Sequence, residues 1–265
     1  MNLRILTRGL QIVPTLIILI LSTACLPIRP LVAPTVEIIP SPSPTLRVQP
    51  TPTTVWFPPT STFTPYPTLA VTPTPELLTG IGEVIFSDDF SSGEAWSLGR
   101  TAEGSVALGK NELTIAISTP RAYMFSYRNA PILDNFYAEI TASPTLCKDL
   151  DEYGMLIRFN PPSSYYRFSL SCDGQVRLDR ILSGSASSPQ TWIPSGAVPP
   201  GAPSTSRLGV WALGEELRLF VNNEFQFSIT DPTLSSGTLG VFARSAGENV
   251  VTVNFSDLVA YQVTP

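Results

Sequence analysis

From Gly80 onward the chain is written in short runs that alternate apolar and polar residues, separated by Gly, Pro, Asn, Asp and Ser. A period of two puts every second side chain on one face of a strand, so such runs bury their apolar half only by pairing into sheets. No long window carries helical periodicity. Strands are predicted at Val84–Phe86, Ser105–Leu108, Glu112–Ser118, Tyr123–Tyr127, Phe136–Ser143, Tyr153–Phe159 and Tyr165–Cys172. Further strands are predicted at Gln175–Ile181, Thr205–Ala212, Glu216–Val221, Glu224–Thr230, Gly237–Ala243 and Val250–Val263. The fold class that follows is all-β: a two-sheet antiparallel jelly-roll sandwich over residues 80–265.

Two segments fix pairing locally. In ELRLFVNNEFQFSIT, Asn222 and Asn223 join two alternating runs, and Asn tolerates the positive φ that a tight hairpin requires. In YGMLIRF-NPPSS-YYRFSLSC, a Pro-containing loop joins two more. If Phe159 pairs with Tyr165, Glu152 faces Cys172, and Arg158 and Tyr166 become direct neighbours. Leu156, Phe168 and Leu170 would share their face. A slip of one residue exchanges that pairing. Cys147 lies just upstream in a turn able to fold back on Cys172, so a disulfide is expected if the compartment is oxidising. It would close about 25 residues, worth ~3 kcal/mol in chain entropy. Two buried free thiols are the alternative.

The N-terminus reads as an address. Arg4 and Arg8 precede an apolar run, Ile12 to Leu21, and then the small residues Ser22, Thr23 and Ala24 before Cys25. The run is too short to span a ~30 Å hydrocarbon core comfortably. The segment LSTAC resembles a bacterial lipoprotein lipobox, with its Leu one position earlier than usual. That resemblance implies lipidation at Cys25, a membrane anchor, and export to the extracytoplasmic cell surface. An uncleaved signal anchor and a secreted protein with an incidental Cys are the other readings. Residues 1–25 are thus expected to be the signal, and 26–79 a disordered Pro/Thr-rich linker. About half of the 27 prolines fall between residues 26 and 75. Proline fixes φ and lacks an N–H, so the tract favours extended polyproline II at ~3.1 Å per residue.

Charge and composition narrow the function. The net charge is −5 and no basic run occurs in the folded part, which argues against nucleic acid as a partner. The sequence contains no histidine, which removes Ser-His and Cys-His nucleophile pairs and the commonest zinc ligand.

In order along the chain, SDDFSSGEAW, NELTIAIS, YGMLIRF, YYRFSLSCDGQVRL, LRLFVNNEFQFSITD, GTLGVFA and VNFSDLVAY are similar to the laminin-G-like and unknown-function branch of the concanavalin A-like lectin/glucanase superfamily. Some relatives in that branch carry the name 3-keto-disaccharide hydrolase. The resemblance spans nearly all of residues 83–263. It implies two antiparallel sheets, one concave, with sugars taken on the concave face or rim loops and calcium held in some members. Asn222-Asn223-Glu224 departs from the Asn-Gly usual at that turn.

Candidate site residues follow. Retaining glycosidases need two carboxyls about 5 Å apart, and no strand carries the E-x-D-x-x-E pattern of the superfamily's glucanases. Asp149, Asp151 and Glu152 sit in a turn and are expected to be solvated. Sugar recognition calls for an aromatic face beside charged or amide groups. Arg158, Tyr166 and Trp192, the last in the loop-like SSPQTWIPSGAVPP, are the candidates. Sandwich packing of Tyr166 and Trp192 and a surface ion pair for Arg158 are the competing readings. Asp88, Asp89 and Asp257 would suit a structural Ca2+ if the first and last strands meet. The leading reading is a surface-tethered, non-catalytic binding module for glycan or extracellular polymer. The alternatives are a protein-interaction or structural surface domain and a sugar-active hydrolase.

Overall fold

In the computed structural model, which describes residues 76–265, the alternating runs become strands and there is no helix among the described residues. The export segment, Cys25 and the tract up to residue 75 lie outside them. The first strands are β1 (Ile81–Asp88), β2 (Gly99–Arg100), β3 (Gly104–Leu108), β4 (Leu113–Ile117) and β5 (Tyr123–Tyr127). Next come β6 (Phe136–Leu146), β7 (Glu152–Asn160), β8 (Ser164–Ser171), β9 (Gln175–Leu182) and β10 (Ser185–Pro194). The last are β11 (Ser206–Leu213), β12 (Glu216–Val221), β13 (Glu224–Thr230), β14 (Thr238–Arg244) and β15 (Val251–Val263).

They form two antiparallel sheets. One has nine strands in the order β13-β12-β11-β6-β15-β4-β3-β2, with β1 also on β15; the other has six, ordered β10-β9-β8-β7-β14-β5. The two sheets enclose a core that includes Leu113, Ile115, Phe136, Ile140, Phe168, Leu178, Val210, Val253 and Phe255, all fully buried. Each such side chain contributes about 1.5–3 kcal/mol relative to exposure, and their period of two settles which face of each strand turns inward. The sandwich is the expected fold.

Asn222 and Asn223 both take positive φ, 51° and 66°, and Val221 pairs with Glu224, giving the expected two-residue hairpin. The β7–β8 hairpin also forms, but its register is a correction to the expected one. Glu152 pairs with Ser171 and Ile157 with Tyr166, whereas nearer the loop Asn160 pairs with Ser164. A bulge lies between, where Arg158 adopts φ 50°. Leu156 consequently joins a cluster on the outer face, while Phe168 and Leu170 point into the core. The bulge is accommodated by Gly237, where an added Cβ would approach the Arg158 backbone to 2.3 Å.

The Cys147–Cys172 disulfide is present, with Cα atoms 5.9 Å apart. It ties the segment after β6 to the end of β8, and the Cys172 N–H donates to Asp151 O in the same corner. At the other end of the chain, Leu77 and Leu78 pack on Trp211, Phe220 and Tyr137 outside the nine-stranded sheet. Trp211 Nε1 donates to Thr79 O at 2.8 Å, and Arg218 donates to Leu77 O at 3.0 Å.

Candidate ligand-binding face

The outer face of the six-stranded sheet is built by alternation. On β5, Tyr123, Phe125 and Tyr127 point outward while Met124 and Ser126 turn inward. Phe242 of β14, Leu156 and Phe159 of β7, and Tyr165 and Ile181 of β8 and β9 continue the same layer. The rings interlock: Tyr127 and Phe159 stack at 4.6 Å between centroids, Phe159 meets Tyr165 at 5.3 Å, and Phe125 meets Phe159 at 5.8 Å. Phe242 lies across Gly154, where a Cβ would stand 3.2 Å from the Phe242 ring and only 2.0 Å from Phe168 O. Leu156 and Phe242 form the buried floor, and the three β5 aromatics remain half-buried above it.

Beside this shelf runs a chain of charges. Arg244 Nη1 donates to Glu152 Oε1 at 2.6 Å, and Arg177 Nη2 donates to Glu152 Oε2 at 3.0 Å. Arg177 Nη2 also stands 3.0 Å from Asp179 Oδ2, to which Arg167 Nη2 donates at 2.6 Å. Ser188 donates to Asp179 Oδ1 at 2.6 Å. Both carboxylates are buried and all four of their oxygens are engaged. The Arg167 guanidinium lies 5.6 Å from the Tyr123 ring and 5.5 Å from the Phe242 ring. The Asp179 carboxylate holds the Arg167 pKa above its ordinary value, although burial, the largest influence, acts the other way. Burial, followed by the neighbouring Tyr165, pushes the Tyr123 hydroxyl well above the usual tyrosine range, so it stays a neutral donor and acceptor. At the end of the shelf is a cleft of about 270 Å³, lined by Tyr127, Arg128, Asn129, Ile132, Phe159 and Asn160 among others. This is smaller than the ~300–1,000 Å³ of an enclosed drug-sized pocket. The arrangement is a platform, aromatic at one edge and cationic across its middle.

The sequence-predicted residues divide. Trp192 belongs to this face: it sits on edge strand β10, not in a loop, with the Arg177 guanidinium 4.4 Å from its ring centroid. Arg158 and Tyr166 do not. Both are fully buried, and the bulge that moves the register also turns Arg158 away from the outer face. Its guanidinium donates to the carbonyls of Leu234, Asp134 and Gly214 at 2.7, 2.9 and 2.8 Å. Tyr166 donates to Asp231 O and accepts from Leu234 N–H. Of the acidic turn, Asp149 is exposed as expected, but Asp151 and Glu152 are buried, because Asp151 accepts from Lys148 and Ala246 N–H and Glu152 from two arginines.

Asp88, Asp89 and Asp257 do come together along one shallow hollow, because β1 pairs with β15 and Asp88 faces Leu258. Asp88 there accepts from Phe90 N–H, Trp96 Nε1 and Arg128 Nε. Asp89 accepts from Ser91 and Asn111, which hold its pKa below the ordinary value. Asp257 accepts from Ser256. Among the described residues no three Asp, Glu, Cys or His side chains converge as a metal site.

Sequence reading missed Tyr123, Phe125, Tyr127 and the Arg167–Asp179–Arg177–Glu152–Arg244 chain. The signal for the first three was present: YMFSY places aromatics at alternate positions, so all share one face. The charge chain was only partly marked: Arg177 and Asp179 alternate on β9 and Arg167 lies on the neighbouring β8, but Arg244 reaches Glu152 from 92 residues away.

No family model and no curated protein matches the chain. Solved structures do match its fold. The β-glucanase of Bacillus licheniformis superposes with TM-score 0.51 at 10% identity, covering 69% of this chain and 99% of that one. A Bacillus subtilis protein of unknown function with a galectin-like fold gives 0.51 at 11%, covering 70% and 99%. The catalytic domain of an endo-1,3-β-glucanase (laminarinase) from Thermotoga petrophila RKU-1 gives 0.50 at 9%, covering 69% and 98%. At such identities the similarity is one of fold, and the fold is the concanavalin A-like, galectin-like β-sandwich.

Proposed function

We propose that the protein is a non-catalytic glycan-binding module, tethered at the extracytoplasmic surface through Cys25 and the Pro/Thr-rich linker, that takes its ligand on the outer face of the six-stranded sheet. The observation that carries this reading is the half-buried Tyr123, Phe125 and Tyr127 shelf beside the partly exposed Arg244. Sugar rings bury their C–H faces on aromatic planes and direct their hydroxyls to charged or amide groups, and both kinds of partner are present here. The sandwich shared with structures named for β-glucan hydrolysis supports glycan as the ligand class. The engagement of every oxygen of Glu152 and Asp179 by arginine or serine supports binding over hydrolysis.

A glycan array probed with the full chain tests the reading. Retention of at least one polysaccharide class is expected, weakened by Phe125→Ala and Tyr127→Ala. A blank array, with and without calcium, overturns it. Incubation with the bound polymer separates binding from hydrolysis: the polymer is recovered intact if the module is non-catalytic, and shortened if Glu152 and Asp179 act as a catalytic pair.

A further inference from the structure

Within the glycan-binding reading, the outer face has a charge opposite to that of the molecule. The whole chain carries −5, yet this face sets three arginines against two carboxylates, a local excess of one positive charge. The ordering in depth sharpens the contrast. The Glu152 and Asp179 side chains are each 3% exposed, whereas Arg244 is 41% exposed. The anions lie beneath, Arg167 and Arg177 are largely covered at 13% and 17%, and Arg244 is the cation that presents itself to solvent.

The chain runs Arg244–Glu152–Arg177–Asp179–Arg167, with a cation at each end. Arg244 uses only Nη1 toward Glu152, so its remaining donors are open to a further acceptor. Arg244 is the direct cross-strand partner of Tyr123, at the start of the aromatic shelf. A carboxylate arriving at this end extends the alternation of charge already built into the sheet, and the sugar ring bearing it falls beside Tyr123 and Phe125. Guanidinium groups match carboxylates in plane and spacing, which a hydroxyl does not exploit as fully.

We propose that the ligand of this face is an acidic polysaccharide whose sugars carry carboxylates, with Arg244 as its principal charged contact. The inference rests on the glycan-binding reading and adds the substrate class.

The test compares polygalacturonate, a neutral β-glucan and polyglutamate as ligands of the full chain in affinity electrophoresis. Polygalacturonate is expected to bind most tightly, and to weaken several-fold as salt rises from ~0.05 M to ~0.5 M. Arg244→Gln is expected to weaken it roughly tenfold, while Arg244→Lys, which keeps the charge but not the planar fork, recovers only part of the affinity. Should Arg244→Gln fail to fold, the Lys variant and the salt series still decide. A neutral glucan bound equally well and indifferent to salt overturns the acidic-ligand inference and leaves glycan binding standing. Polyglutamate bound as tightly as polygalacturonate overturns the inference by reducing it to charge alone. Failure of polygalacturonate and the neutral glucan alike overturns the acidic-ligand inference, and the glycan array then decides the glycan reading separately.

Discussion

Arg158 donates from Nη2 to the carbonyl oxygen of Gly214 at 2.8 Å, joining the bulge in β7 to the β11–β12 turn. The same guanidinium holds Asp134 O and Leu234 O, so one buried cation fastens three loops at one end of the sandwich. Burial lowers its pKa from the ordinary arginine value, with the neighbouring Tyr166 and Asp134 opposing that shift.

Replacing Arg158 by Met removes these bonds and leaves three carbonyls without their donor. The expected loss is ~3–5 kcal/mol, read as a lower urea midpoint. Arg158→Lys recovers only part of it, because a compact ammonium cannot span three acceptors as a planar fork does. A loss below ~1 kcal/mol would place Arg158 among ordinary surface positions.

The Cys147–Cys172 bridge, with a sequence separation of 25, restrains the unfolded chain. Its removal by Cys147→Ala/Cys172→Ala is expected to cost ~3 kcal/mol. Urea unfolding of the variant beside the oxidised protein measures this, and coincident midpoints would refute it.

Tyr166 sets an alkaline limit. Burial, only partly offset by the Leu234 N–H, raises its pKa from 10.0 to about 12. The folded state therefore keeps a proton that the unfolded state releases. Its contribution is complete below pH 10 and is lost as pH rises toward 12. Phenolate absorbance should show Tyr166 titrating late, and Tyr166→Phe should flatten the fall in stability over this interval. On the acid side, burial would raise the Asp231 pKa, but the Thr233 hydrogen bonds, Tyr166 and the Arg180 cation outweigh it and hold it below 3.8. Its contribution is present at neutral pH and is lost as pH falls below 3.8 through the lower folded value.

The contrast between β12–β13 and β7–β8 marks how far sequence patterning reaches. Alternation and an Asn-Asn turn specify the strands and turn of the first hairpin, leaving unannounced only the register shift between Leu219 and Phe220. In the second, the extra residue at Arg158 is recruited by carbonyls from three distant loops, so no local pattern announces it. Strand β10 has no sequence signature, because SASSPQTWIP lacks apolar alternation and contains Pro189 and Pro194, which an edge strand tolerates. Trp192 could be singled out as an aromatic outside the obvious strands, but its partner Arg177 emerged only with the β9–β10 pairing. The candidate face depends on rows that cross several strands, whereas the sequence reports one strand at a time.

The most direct measurement is amide hydrogen exchange on the full chain with and without a bound oligosaccharide. Added protection is expected along β5, β7, β8 and β14, beneath Tyr123, Phe125, Tyr127 and Arg167. Protection confined to β11–β13 on the opposite sheet, or absent throughout at saturating ligand, would contradict the account.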